Sequence, residues 1–355
     1  MDVARRDLLK MAGVAAVGAA VGNFGAMKMA DAKSTIKLTQ APVVGSKNVT
    51  GTKYNGTAAK VYFTKNIDAA SLIKMYDLIG SEIYGKVGIK LHTGEPHGPN
   101  IIPIAMAEAL QKHVPNSNFI ETNTLYTGGR YTTADHLETL KTNGWNVNLV
   151  DIMDADDGYV EFPVRGGKHF QKIEMGKNLV NYDSIIVLTH TKGHAMGGFG
   201  GSLKNIAIGM ASGHQGKVTV HGYPAVIHGM PPQGSAWFDG TFPLGKHFME
   251  RMADSGKATC DYFGKHIVFL NVMRRMSVDC DCAGTSAAEP TMKDIGILAS
   301  TDILAIDQAF CDFVWTAPDS KDLKERILSR EGLHQLQAMH DLKMGNPQYE
   351  IISVD

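Results

Sequence analysis

The chain has 355 residues, 44% hydrophobic and 20% charged, a globular balance long enough to bury a core without disulfide staples. Its 35 basic and 36 acidic residues leave a formal net charge of -1, without the basic surplus a nucleic-acid partner demands. Four cysteines are too few for a small disulfide-built scaffold.

In chain order, residues 1–32 read first as a targeting segment. Arg5-Arg6-Asp7-Leu8-Leu9-Lys10 has the twin-arginine pattern, Met11 to Val21 is a mild apolar stretch, and Ala30-Asp31-Ala32 offers small residues for cleavage. The apolar stretch is too short to span a bilayer, and no later run is long enough. The expectation is a chain handed folded to the twin-arginine export machinery, residing in the periplasm, and not an integral membrane protein once processed.

Residues 33–58 form a polar lead-in, and an α/β domain is expected over 59–355. Val61-Tyr62-Phe63 reads as a strand, and Asp68 caps a helix running to about Tyr84. Val87 to Leu91 is the next strand, 101–113 a helix, Phe119-Ile120 a strand, 133–143 a helix, and Val147 to Val150 a strand. A hairpin-like stretch covers 159–173. Ser184 to Leu188 is continuously apolar, the pattern of a strand buried on both faces. Residues 212–243, rich in Gly, Pro and His, read as a long loop-rich insert. A helix over 244–262, strands at His266 to Val272 and Ile295 to Leu298, helices near 303–315, 319–329 and 332–342, and an edge strand at Glu350 to Ile352 complete the reading. The alternation predicts a mostly parallel sheet with helices on both faces.

Ligands of such sheets bind beyond the carboxyl ends of the strands. Five predicted strand ends carry polar clusters: Lys90, His92 and Glu95; Glu121 to Thr124, with Tyr126 and Arg130 beyond; His190, Lys192 and His194; Cys280-Asp281-Cys282; and Ser300-Thr301-Asp302. The last also reads as a helix N-cap. In extended backbone Cys280 and Cys282 point to one side, which suits one soft metal ion; a reactive dithiol or a plain tight turn are the other readings. Together with His190 and His194 they make a tetrahedral donor set. His214, His221 and His228 read as surface or loop histidines, and Cys260 and Cys311 as core residues. The glycine-rich turn at 197–201 opens a helix, so Gly200, Gly201, Lys204 and Asn205 are candidates for holding an anion at its N-terminus, a tight packing turn being the other reading.

Leu188 to His194, Gly198 to Asn205, Lys90 to Glu95, Glu121 to Tyr126, and Asp279 to Cys282 with Asp294 to Ser300 together resemble the family named domain of unknown function 362, over about residues 60–355. Many members resemble iron–sulfur proteins with a ferredoxin-type insert of repeated Cys-x-x-Cys. Here residues 212–262 hold only Cys260, so no ferredoxin-type cluster is expected. The combined expectation is a metal ion, Zn or Fe, on Cys280 and Cys282 with His190 or His194. Lys90, His92, Glu95 and Lys192 are the candidate catalytic groups acting on an anionic small molecule. A non-catalytic carrier of a metal or metal-bound ligand is the alternative.

Overall fold

The computed structural model describes residues 28–29, 38, 41, 58–223 and 237–355. Strands β1 (Lys28–Met29), β2 (Ala59–Thr64), β3 (Val87–Lys90), β4 (Ser117–Glu121) and β5 (Val150–Ile152) precede a separate hairpin of β6 (Tyr159–Pro163) and β7 (Lys172–Gly176). Then come β8 (Ser184–His190), a short hairpin of β9 (Lys192–His194) and β10 (Gly198–Gly200), and strands β11 (Ile267–Met273), β12 (Gly296–Ser300) and β13 (Tyr349–Ser353). One nine-stranded sheet runs β1-β13-β2-β12-β11-β8-β3-β4-β5. Every pairing is parallel except the two made by β12.

Side chains alternate across a strand, so a strand buried on both faces feeds two cores. In β8, Ile185 and Val187 join one core while Ile186 and Leu188 join the other. The second core is closed by Leu72 and Met75 of α1 (Ala69–Asp77), Leu110 of α2 (Ile104–His113) and Leu140 of α3 (Thr133–Asn143). The first is closed by Leu203 and Ile206 of α4 (Ser202–Gly209), Val218 of α5 (Gly216–His221) and Met252 of α6 (Lys246–Phe263). Phe310 of α7 (Ile303–Thr316), Ile327 of α8 (Lys321–Ser329) and Leu336 of α9 (His334–Asp341) complete it. The fold is the expected α/β class. Among the described residues no helix is long and apolar enough to cross a membrane.

Several local expectations change. The helix capped by Asp68, whose carboxylate accepts from Ser71 N at 2.7 Å, stops at Asp77, with a 3-10 turn following at Gly80–Glu82. The helix expected from 101 begins at Ile104, because Pro103 biases the residue before it away from helical backbone. Val147–Leu149 is a 3-10 turn, and β5 begins after it. Residues 212–243 are not loop throughout, since α5 lies within them; residues 224–236, His228 included, lie outside the described residues. The targeting segment over 1–32 also lies outside them, save the dipeptide β1. Finally, β12 runs against its neighbours, which carries Ser300-Thr301-Asp302 to the opposite sheet edge from the other four clusters. There Asp302 caps α7, accepting from Ala305 N at 2.9 Å.

Candidate functional site

The carboxyl ends of β3, β4 and β8, with the loop that leaves β11, surround a cavity of about 520 Å³. Its floor is a buried chain of alternating charges. Lys90, the last residue of β3, donates from Nζ to Glu121 Oε2 at 3.0 Å, Asn205 Oδ1 at 3.2 Å and Leu91 O at 2.8 Å. Glu121 Oε1 lies 3.5 Å from Arg130 Nη1 and accepts from Thr93 N at 3.1 Å. Arg130 donates to Glu95 Oε1 from Nε at 3.0 Å and from Nη2 at 2.7 Å, and the Tyr126 hydroxyl donates to the same oxygen at 2.7 Å. Burial works against the Glu121 carboxylate, yet Lys90 and Arg130 hold its pKa well below the ordinary range. Burial lowers Lys90 despite Glu121 beside it. His92 lines the same wall, with Nδ1 3.0 Å from Gly94 N and Nε2 3.2 Å from Arg130 Nη2. Burial, and then the Arg130 charge, keep His92 neutral with its pKa well below the ordinary value.

The thiols form the second feature. Donor atoms of Cys280, Cys282 and His194 lie within 4.8 Å of one another, and Cys282 and His194 reach the cavity wall. Lys204 donates from Nζ to Cys280 Sγ at 3.3 Å. The hydrogen bond from Cys282, joined by the Lys204 charge, pulls the Cys280 pKa well below that of an ordinary thiol, and the same hydrogen bond pushes Cys282 up. These influences favour the thiolate at Cys280 and the thiol at Cys282. Asp281, between the two, points elsewhere and anchors the loop: it accepts from His190 Nδ1 at 2.9 Å and pairs with Lys192 Nζ at 2.7 Å. Gly193 in β9 lets that strand press on the loop, since a Cβ there would fall on the Val278 carbonyl, and its N–H reaches Ser277 O at 2.7 Å.

Two sulfurs and an imidazole are a donor set for a soft or borderline ion. The sulfurs are free to take that role. His194 accepts at Nδ1 from Gly197 N at 2.8 Å and Met196 N at 3.2 Å, which leaves the ring hydrogen on Nε2, so it joins a metal only by surrendering that hydrogen. His190 is not brought to the thiols: Nδ1 lies 2.9 Å from Asp281 Oδ1 and Nε2 2.7 Å from Arg274 O, so both ring nitrogens are already engaged.

The glycine-rich turn follows its packing reading and not the anion-binding one. The leading amides of α4 are already occupied: Ser202 N and Leu203 N donate to the Asp307 carboxylate at 2.8 and 2.9 Å. Gly201 is required for this approach, since a Cβ there would meet Asp307 Oδ1 at 2.5 Å. The turn binds an internal carboxylate where an external anion was expected. Gly200 pairs with Lys192 across the β9–β10 hairpin. Lys204 and Asn205 do face the cavity. Asn205 ties the ends of β3 and β8 together, donating to Leu188 O at 3.2 Å and Thr189 Oγ1 at 3.0 Å.

A family model described as "Domain of unknown function (DUF362)" matches residues 87–312, a stretch that contains the whole cavity wall. The chain belongs to this family. Among solved structures, the lactate racemase apoprotein from Thermoanaerobacterium thermosaccharolyticum is similar at 13% identity and a TM-score of 0.40, the match covering 83% of each chain. A Thermotoga maritima protein is similar at 12% identity and a TM-score of 0.40, covering 71% of this chain and 60% of that one. No curated protein matches.

The DUF362 cavity holds further groups. Lys217 of α5 projects into it with Nζ donating to Ala211 O at 2.8 Å and Thr122 Oγ1 at 2.5 Å. Burial, only partly offset by Asp154, lowers its pKa to about 7. His221, one turn further, is buried against Trp237, Phe242 and Phe248 rather than exposed, and burial holds it at about 4. His214 lies apart, 2.6 Å from Asp157 Oδ1. Among the described residues that line the space are four basic side chains, Lys90, Arg130, Lys204 and Lys217, and one carboxylate, Glu121; Glu95 engages Arg130 and Cys280 engages Lys204 from behind the wall. Arg130 stands in a polar loop with no local pattern to mark it. Lys217 is followed by Val218-Thr219-Val220, and only tertiary packing reveals that it is buried.

The Lys217 amine loses its proton as pH rises through about 7. A small amine-reactive reagent at trace level is therefore expected to modify it first, with a rate midpoint near that pH, resolved by peptide mass spectrometry. A midpoint at about 10, the value of a hydrated lysine, would show that the amine is not desolvated.

Proposed function

We propose that this DUF362 protein is exported through the twin-arginine route to the periplasm, where it holds a thiophilic metal ion, Zn or Fe, on Cys280 and Cys282 and acts on a small anion bound in the adjoining cavity. The observation that carries this reading is a thiolate–thiol pair, with a third donor atom within 4.8 Å, at the wall of a cavity lined by four cationic side chains. When bound, such an ion supplies a Lewis acid or an electron relay. The chain's own residues do the rest. Lys204 holds Cys280 as thiolate, ready to ligate without releasing a proton. Arg130 and Lys217 offset the charge of the ligand. Lys90 and the neutral ring of His92 stand at the wall to move a proton, whereas Glu95 and Lys192 act at one remove, Glu95 by orienting Arg130 and Lys192 by fixing Asp281. The twin-arginine pattern at Arg5-Arg6 supports the route.

A second reading rests on the closeness of the two sulfurs, which lie within 4.8 Å of each other and also suit a redox dithiol. Metal analysis by plasma mass spectrometry separates the two. Protein purified from the periplasmic fraction is expected to lose about one equivalent of metal per chain when Cys280→Ser/Cys282→Ser is introduced. Equal metal content in the two samples sinks the reading of a metal on the thiols and leaves the dithiol. In the same preparation, Arg5→Lys/Arg6→Lys is expected to strand the chain in the cytoplasm; an undiminished periplasmic yield would refute the twin-arginine route.

A further inference from the structure

A second convergence of metal-ligating groups lies outside the cavity, at the outer end of the β6–β7 hairpin. Glu250, in the second turn of α6, is buried, and its carboxylate is approached from three separate elements. His169 in the β6–β7 connection places Nε2 2.9 Å from Oε2. His247, one turn earlier on α6, places Nδ1 3.8 Å from the same oxygen. His334, at the start of α9, sits with Nε2 3.0 Å from Oε1. Donor atoms of His169, His247 and Glu250 all fall within 4.8 Å of one another. The edge of a tetrahedron with metal–ligand bonds of roughly 2.0 Å is about 3.3 Å, so these spacings need only small adjustments.

The hairpin loop is held ready for this. Asp254, one turn after Glu250 on α6 and fully buried, accepts from the amides of Lys168 at 2.9 Å, His169 at 2.6 Å and Phe170 at 3.3 Å. His169 is thereby presented to Glu250 by backbone bonds that do not depend on the imidazole. The cluster holds one carboxylate against three imidazoles and the Lys168 ammonium, 2.7 Å from Oε1. A network built for ion pairing alone gains nothing from a third imidazole, whereas two imidazoles and one carboxylate with an open position are a ligand set for a borderline divalent ion.

We propose that His169, His247 and Glu250 form a second metal site, taking a divalent ion of the zinc class. His334 orients the carboxylate from its far oxygen, and the bound ion clamps the β6–β7 hairpin onto α6 and α9. The site is independent of the thiols and of the function proposed for the cavity.

Cobalt(II) titration of Cys280→Ser/Cys282→Ser tests it without interference from sulfur. The expected result is one equivalent bound with visible ligand-field absorption and no thiolate charge-transfer band. His247→Ala, at a ring 58% exposed and thus without a folding role, is expected to abolish that absorption. His334→Ala, which removes an outer partner, weakens binding about tenfold. Lys168→Ala, which frees the carboxylate of a competing cation, tightens it. If the double cysteine variant does not fold, the same readout is taken as loss of the sulfur-free component when His247→Ala is introduced into the otherwise unchanged chain. No cobalt absorption of this kind, or one that His247→Ala leaves intact, overturns the proposal. A thiolate band that fails to appear in the unchanged chain speaks only against the cavity metal.

Discussion

Glu121→Ala is expected to destabilise the folded protein by about 3–5 kcal/mol, read from the shift of its urea unfolding midpoint at constant slope. The magnitude comes from the charges that the deletion strands. Lys90 and Arg130 are both buried, and Glu121 is the carboxylate they share, 3.0 Å from Lys90 Nζ and 3.5 Å from Arg130 Nη1. Arg130 retains Glu95, but Lys90 keeps only the neutral oxygens of Leu91 and Asn205. An uncompensated buried ammonium costs far more than the pair contributes, so the single deletion is severe although the intact pair is not a large source of stability. The folded pKa of Glu121 is depressed, so its contribution is present above the unfolded value of about 4.3 and is lost as pH falls below it. A loss below about 1 kcal/mol would mean that water screens the floor as it screens a surface pair.

In metal-free protein, one thiolate per chain is expected to persist at pH 6, where an ordinary cysteine is only about 0.3% ionised. Its ultraviolet absorption reports it without a reagent having to enter the cavity. Cys280→Ser removes the signal. Lys204→Met, which deletes the ammonium 3.3 Å from Sγ, moves its onset to higher pH, and Cys282→Ser moves it less because a hydroxyl still donates. Silence until about pH 8.5 would show that neither contact is maintained in solution. The same charge pattern affects metal capture: one ligand arrives deprotonated and the other must release its proton, so apparent affinity rises with pH by one proton rather than two.

Much of this arrangement is legible in the residues, for identifiable reasons. The run Ser-Ile-Ile-Val-Leu in β8 can only belong to a strand covered on both sides, and parallel strands deliver their C-terminal loops to one edge, so Lys90, Glu121, His194 and Cys282 meet as the pattern implies. The features that escaped are decided by partners far apart in sequence. The direction of β12 is invisible in its own composition, because an antiparallel strand buried on both faces reads like a parallel one. The glycine turn before α4 has the composition of an anion cradle, and nothing near it announces that Asp307 already fills it. His190 and His194 share a motif, yet backbone amides fix the tautomer of one and two oxygens occupy both nitrogens of the other. Lys217 and His221 lay hidden in a stretch whose Gly, Pro and His content resembles loop.

The reversal of β12 has a consequence for how the site can change. Because β11 and β12 are antiparallel neighbours, residues 274–295 leave and re-enter the sheet at facing positions, Met273 opposite Gly296. A crossover segment would have to span from one edge of the sheet to the other, but this one is a closed excursion with both ends already joined. Doubling such an excursion in length costs only about 0.6 kcal/mol of closure entropy, and no strand needs to shift register to accommodate it. The thiol-bearing segment can thus change length without altering the pairing of β11 and β12, provided it keeps Asp281 for His190 and Lys192, the Ser277 carbonyl for Gly193 N and the Val278 carbonyl for Arg326.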